Sequence, residues 1–97
     1  MNKITEREIC RRLIETYPDH LASSDKPAID YNIFAAAMMA RGFISTRQTI
    51  LAKWNMLKLD GILVQRYGKT YVNVRALESA AGMSVPRPSE YRITEGS

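Results

Sequence analysis

Between Thr5 and Tyr17 the apolar residues Ile9, Cys10, Leu13, Ile14 and Tyr17 fall on one stripe, while Glu6, Arg7, Arg11, Arg12 and Glu15 fill the other positions. That spacing predicts an amphipathic helix with one buried face. Thr5 and Glu8 form a capping box, in which hydroxyl and carboxylate satisfy the free N–H groups of a first turn, and Pro18 ends the helix. Asp19 to Pro27 is polar and reads as a loop. Ala28 and Ile29 can add a short strand before Asp30, which caps a second helix running from Tyr31 to Ala40 and closed by Gly42. This helix is apolar nearly all round, so it is expected either to be clamped between other elements or to share a face with a second copy of the chain. Met38 and Met39 read as gap-filling core, with an adaptable partner surface as the alternative.

After the turn Arg41 to Ile44, Ser45 and Gln48 form a second capping box, opening a third helix over about residues 46–60 before Gly61. At 100° per residue Ile50, Trp54 and Leu57 point inward, and Gln48, Thr49, Ala52, Asn55 and Met56 lie opposite. Amides, a hydroxyl and a small alanine pack poorly in a core. They suit the reading of base edges, where they can donate and accept. Ile62 to Arg66 and Thr70 to Val74 are β-prone runs joined by Tyr67-Gly68-Lys69, which predicts a hairpin over 62–74. A period of two puts Ile62 and Val64 on one face with Val72 and Val74, and leaves Arg66, Tyr67 and Lys69 at the tip. Residues 75–81 form a short helix stopped by Gly82. The expected domain is 1–82, followed by an extended or disordered tail over 83–97.

Charge sharpens this picture. From Met1 to Ala40 five basic residues face six acidic ones, a balance of −1, and from Ala76 to Ser97 the balance is again −1. Between Arg41 and Arg75 seven basic residues (Arg41, Arg47, Lys53, Lys58, Arg66, Lys69 and Arg75) face only Asp60, a balance of +6. Concentrated cations of this kind are what a protein that meets phosphate backbones carries. The bland alternatives are a solvated basic face, and Lys and Arg guarding strand edges. Arg11 and Arg12, with Glu8 and Glu15 nearby, read as solvated helix charges.

Several classes of function fit poorly. No apolar run approaches the ~20 residues that cross a bilayer, and the charged N-terminus is unlike a signal peptide, so an intracellular, cytoplasmic protein is expected. One cysteine, Cys10, and one histidine, His20, make neither an internal disulfide nor a zinc cluster, and both read as structural; neither metal nor cofactor is implied. Gly68-Lys69-Thr70 resembles the end of a phosphate-binding loop, yet Leu63 stands where that motif needs glycine and the tripeptide sits in a hairpin. No catalytic set is expected, and no pocket for a small molecule can be read.

The order helix, short strand, helix, turn, helix, hairpin resembles the winged helix-turn-helix superfamily over about residues 5–75. The likeness is strongest from Ser45 to Val64, where Thr49-Ile50, Leu57, Gly61 and Ile62-Leu63 match the family's recognition helix and first wing strand. It implies a mainly α fold with a small β-hairpin: a three-helix core plus a two- or three-stranded antiparallel wing. It also implies a third helix in the major groove of double-stranded DNA, with the wing on the backbone or in the minor groove. Mapped residue by residue, Arg47, Gln48, Thr49 and Asn55 are the expected base readers, and Ser45, Thr46, Lys53, Arg66 and Lys69 the expected phosphate contacts. The segment Arg41 to Ile44 is longer than the tightest turns of this kind, which leaves the rotation of the third helix open by about one position. A small transcriptional regulator, able to act as a homodimer, is the implied function. The alternative is a winged-helix docking module that binds another protein and not DNA, since fold does not fix function.

Overall fold

A computed structural model describes residues 4–86. It is mainly helical, with a small antiparallel sheet: α1 (Glu6–Thr16), α2 (Pro18–Ala22), α3 (Tyr31–Met39), α4 (Arg47–Leu59), β1 (Leu63–Arg66), β2 (Lys69–Val72) and α5 (Val74–Ala81). Among the described residues, no helix is long and apolar enough to cross a membrane.

Helix α1 starts where the capping box predicts, with the Thr5 side chain accepting the Glu8 N–H at 3.2 Å. Its stripe of Ile9, Cys10, Leu13 and Ile14 is buried. Pro18 does more than end it. As the first residue of α2 it needs no N–H partner, and the expected loop over Asp19 to Pro27 therefore begins with a helical turn that buries Leu21.

Asp30 caps α3 by accepting the Ile33 N–H at 2.8 Å. The helix stops at Met39 and is followed by a single 3-10 turn, Ala40–Gly42, in which Arg41 (φ 58°) and Gly42 (φ 68°) are both left-handed. Phe34, Ala37 and Met38 are buried, but Asn32, Ile33, Ala36 and Met39 are exposed, so α3 is clamped on one side only.

The two arginines expected to be solvated are ties. Arg11 Nε donates to the Ala81 carbonyl at 2.8 Å, at the end of α5. Arg12 donates through Nε to Ala37 O at 3.2 Å and through Nη2 to Ala40 O at 2.6 Å, with its guanidinium 5.3 Å from the Phe43 ring centre. Adjacent residues on α1 thus satisfy the last carbonyls of two different helices, where the helix dipole also favours a cation. A sequence read one helix at a time cannot see this, because both partners lie far along the chain.

The inward face of α4 is Ile50, Trp54 and Leu57, as the periodicity predicts. Trp54 takes Tyr31 edge-on at 5.8 Å and Phe34 at 5.3 Å, which locks the start of α3 against the middle of α4. The hairpin is tighter than expected and shifted by one residue. Leu63 lies opposite Val72, both buried, and Val64 lies opposite Tyr71, both half-buried. Ile62 precedes the strand and accepts the Asn73 N–H at 2.8 Å, while Val74 already belongs to α5. The cause is Asn73, whose side chain accepts the Ala76 N–H and draws the chain into a helix one step early. Where Ala28 and Ile29 predict a short strand, the structure has an isolated bridge of Ala28 to Tyr71, flanked by hydrogen bonds from Ile29 N to Thr70 O (2.9 Å) and from Val72 N to Pro27 O (2.8 Å).

Gly82 ends α5 in the left-handed conformation, but the chain does not leave the core there. Val85 is buried and its N–H donates to Glu78 Oε2 at 2.8 Å. The rest of the expected tail, residues 87–97, lies outside the described residues.

Candidate nucleic-acid interface

The cap of α4 is Thr46 and not Ser45. Thr46 has extended backbone angles (φ −110°, ψ 138°), its Oγ1 accepts the Thr49 N–H at 3.3 Å, and its hydroxyl donates to Thr49 Oγ1 at 2.6 Å. The second capping box is therefore one residue out of register. The free N–H groups at the helix start belong to Arg47 and Gln48, while Ser45 stays in the exposed approach.

Around α4 the open face is Gln48, Ala52, Asn55 and Leu59, all exposed and within about 60° of arc. Thr49 and Met56 form one edge and are half-buried, with half-buried Lys53 beyond them. On the other edge stand Arg47 and Leu51, both exposed, and half-buried Lys58. Arg47, Gln48 and Asn55 are thus brought to solvent together. Thr49 is only partly open and its hydroxyl is engaged by the cap, and Lys53 lies on the flank away from Lys58. Leu51 and Leu59, 50% and 87% exposed, are apolar side chains that a polar-face reading of the helix passes over.

A groove of about 540 Å³ separates the Lys58 flank of α4 from the hairpin. Its walls include Tyr31 at the start of α3, Trp54 and Lys58 on α4, and Gln65, Lys69 and Thr70 on the strands. Lys58 and Lys69 therefore border one groove although eleven positions separate them in sequence. Arg66, exposed, pairs with Lys69 across the hairpin. Lys58 is missing from the residues assigned by sequence, yet a signal exists: Arg47, Leu51, Trp54 and Lys58 follow steps of four, three and four, which is one stripe of a helix.

Asp60, the lone carboxylate of the basic segment, caps the far end of α4, about 20 Å along the axis from Arg47 at 1.5 Å per residue. It meets Glu6 there. Glu6 Oε2 is buried with no donor, as expected when the neighbour is another carboxylate, and the contact becomes a hydrogen bond only when one of the two is protonated. Sharing that proton with Asp60, then burial, then the Asp60 charge raise the Glu6 pKa to about 7. Burial first, then the two carboxylates, push the Cys10 thiol up to about 12, which leaves it an inert core residue.

Comparison with known proteins finds no matching family model, no similar curated protein and no similar solved structure.

Proposed function

We propose that the chain is a small winged helix-turn-helix protein that binds double-stranded DNA in a sequence-dependent way and acts as a transcriptional regulator. The observation that carries this reading is the open face of α4. It presents Gln48 and Asn55 to solvent, with exposed Arg47 on its edge and a hairpin bearing Arg66 and Lys69 across a groove from that edge. Guanidinium and amide groups match the donor and acceptor patterns of base edges in the major groove, and exposed Leu51 suits the thymine methyl. Lys58, Arg66 and Lys69 hold phosphates on one side of the helix and Lys53 on the other, so that α4 lies between the two backbones of a groove. Thr46 serves the helix start, leaving the free N–H groups of Arg47 and Gln48 for a phosphate.

The test is a titration of duplex DNA over a range of salt, followed by selection of bound sequences from a random duplex library. DNA binding of this kind gives log K falling linearly with log salt, by about 0.9 per phosphate neutralised, and an enriched sequence motif. Flow-through on duplex DNA at low salt rejects the reading and favours a docking module. Binding with a steep slope but no enriched motif rejects the base-reading role of α4 alone.

A further inference from the structure

The hairpin tip carries a feature that a simple turn does not require. β1 and β2 are joined by the two residues Tyr67 and Gly68, with φ of 54° and 77°, the geometry of a type I′ turn. Such a turn favours asparagine or glycine at both positions, and a bulky aromatic residue with positive φ is an outlier. Tyr67 is also fully exposed, so its ring gains nothing from the core. Arg66 precedes it and Lys69 follows Gly68, both exposed. Gly68 and Lys69 line the groove beside Trp54 and Lys58, which sets the tip alongside the flank of α4.

A strained, solvent-exposed ring between two cations is better explained by a contact made outside the protein than by any made within it. Resting on the DNA-binding reading, we propose that Tyr67 is an affinity residue of the hairpin, its ring lying against the sugar and base surface of the duplex while Arg66 and Lys69 hold the flanking phosphates. The contact is apolar. It releases no counterions and adds affinity that salt does not remove.

Three variants test this on the full chain. Tyr67→Asn relieves the backbone strain, so its melting temperature rises, yet its affinity for duplex DNA falls about 5- to 10-fold at every salt concentration with an unchanged slope. Tyr67→Phe keeps the native affinity, because the ring and not the hydroxyl makes the contact. Tyr67→Trp places an indole at the tip, and its emission changes when duplex is added to saturation. Native affinity in Tyr67→Asn, with the native chain binding DNA normally, overturns the role of Tyr67 and leaves the DNA-binding reading standing. A changed salt slope in Tyr67→Asn overturns the apolar contact in favour of an indirect effect on Arg66 or Lys69. Failure of the native chain to bind duplex at all overturns both.

Discussion

Thr46 donates its hydroxyl proton to Thr49 at 2.6 Å and accepts the Thr49 N–H, so one side chain fixes both the start of α4 and a residue at the edge of its open face. Ser45, the residue that sequence pattern marks as the cap, makes neither bond. Replacing a true cap by alanine costs about 1 kcal/mol, whereas an exposed residue outside the helix changes stability by less than about 0.5 kcal/mol. Thr46→Ala is therefore expected to lower the urea midpoint clearly and Ser45→Ala hardly at all. A larger loss in Ser45→Ala than in Thr46→Ala would return the cap to Ser45 and start the helix one residue earlier.

What was legible in the sequence is what short-range physics determines. The buried stripes of α1 and α4, the caps Thr5 and Asp30, and the hairpin before a short helix all follow from spacing and from residues within one turn of each other. Where the structure departs from the sequence pattern, the origin is different. Ser45 and Thr46 are both good caps with hydrogen-bonding partners three residues on, so composition cannot choose between them. Pro18 ends one helix and begins another with the same missing N–H. Asn73 lies within a β-prone run, yet its carboxamide starts a helix. The placement of Lys58 and Lys69 on one groove, and the ties of Arg11 and Arg12, depend on how the elements pack, which no local window contains.

Arg12 offers a test of that last point. Its two hydrogen bonds go to Ala37 O and Ala40 O at the end of α3, where unsatisfied carbonyls collect. If Arg12 were a solvated charge, Arg12→Leu would be nearly neutral in stability. Loss of the tie instead predicts a destabilisation of about 1–2 kcal/mol by chemical denaturation. Because α1 is not assigned to the interface, the same variant should keep the native salt slope on duplex DNA despite losing a positive charge.

The Glu6 and Asp60 pair predicts a pH dependence of unusual sign for a carboxylate. Folding raises the Glu6 pKa from 4.5 to about 7, so the folded chain holds the shared proton more tightly than the unfolded one. The stability this gives is fully present below pH 4.5 and is lost as pH rises through about 7. Glu6→Gln keeps a hydrogen-bond donor for Asp60 at every pH. Melting temperatures taken from pH 4.5 to 8 should show the native chain falling relative to Glu6→Gln, and the variant more stable at pH 8 by roughly 1 kcal/mol after allowance for solvent screening. Parallel curves would mean that the two carboxylates do not share a proton.

Lys58 is the phosphate contact that the proposed interface adds to those expected from the sequence. Both Lys58 and Lys53 are half-buried, but Lys58 borders the groove that Lys69 also lines, whereas Lys53 stands on the opposite flank of α4. Each phosphate contact removed should lower the salt slope by about one unit and weaken all duplexes alike, whereas removal of a base contact costs about 1–3 kcal/mol at one position of the preferred sequence and leaves other sequences little changed. Lys58→Ala and Lys69→Ala are expected to reduce the slope, and Gln48→Ala to relax one position of the selected motif with the slope kept. Since Lys58 and Lys69 face one groove, they are expected to share a single phosphate, so the double variant should lose less than the two single losses combined. Full additivity in that cycle would assign the two lysines to separate phosphates, with the hairpin standing farther from α4 on the duplex than it does in the free chain.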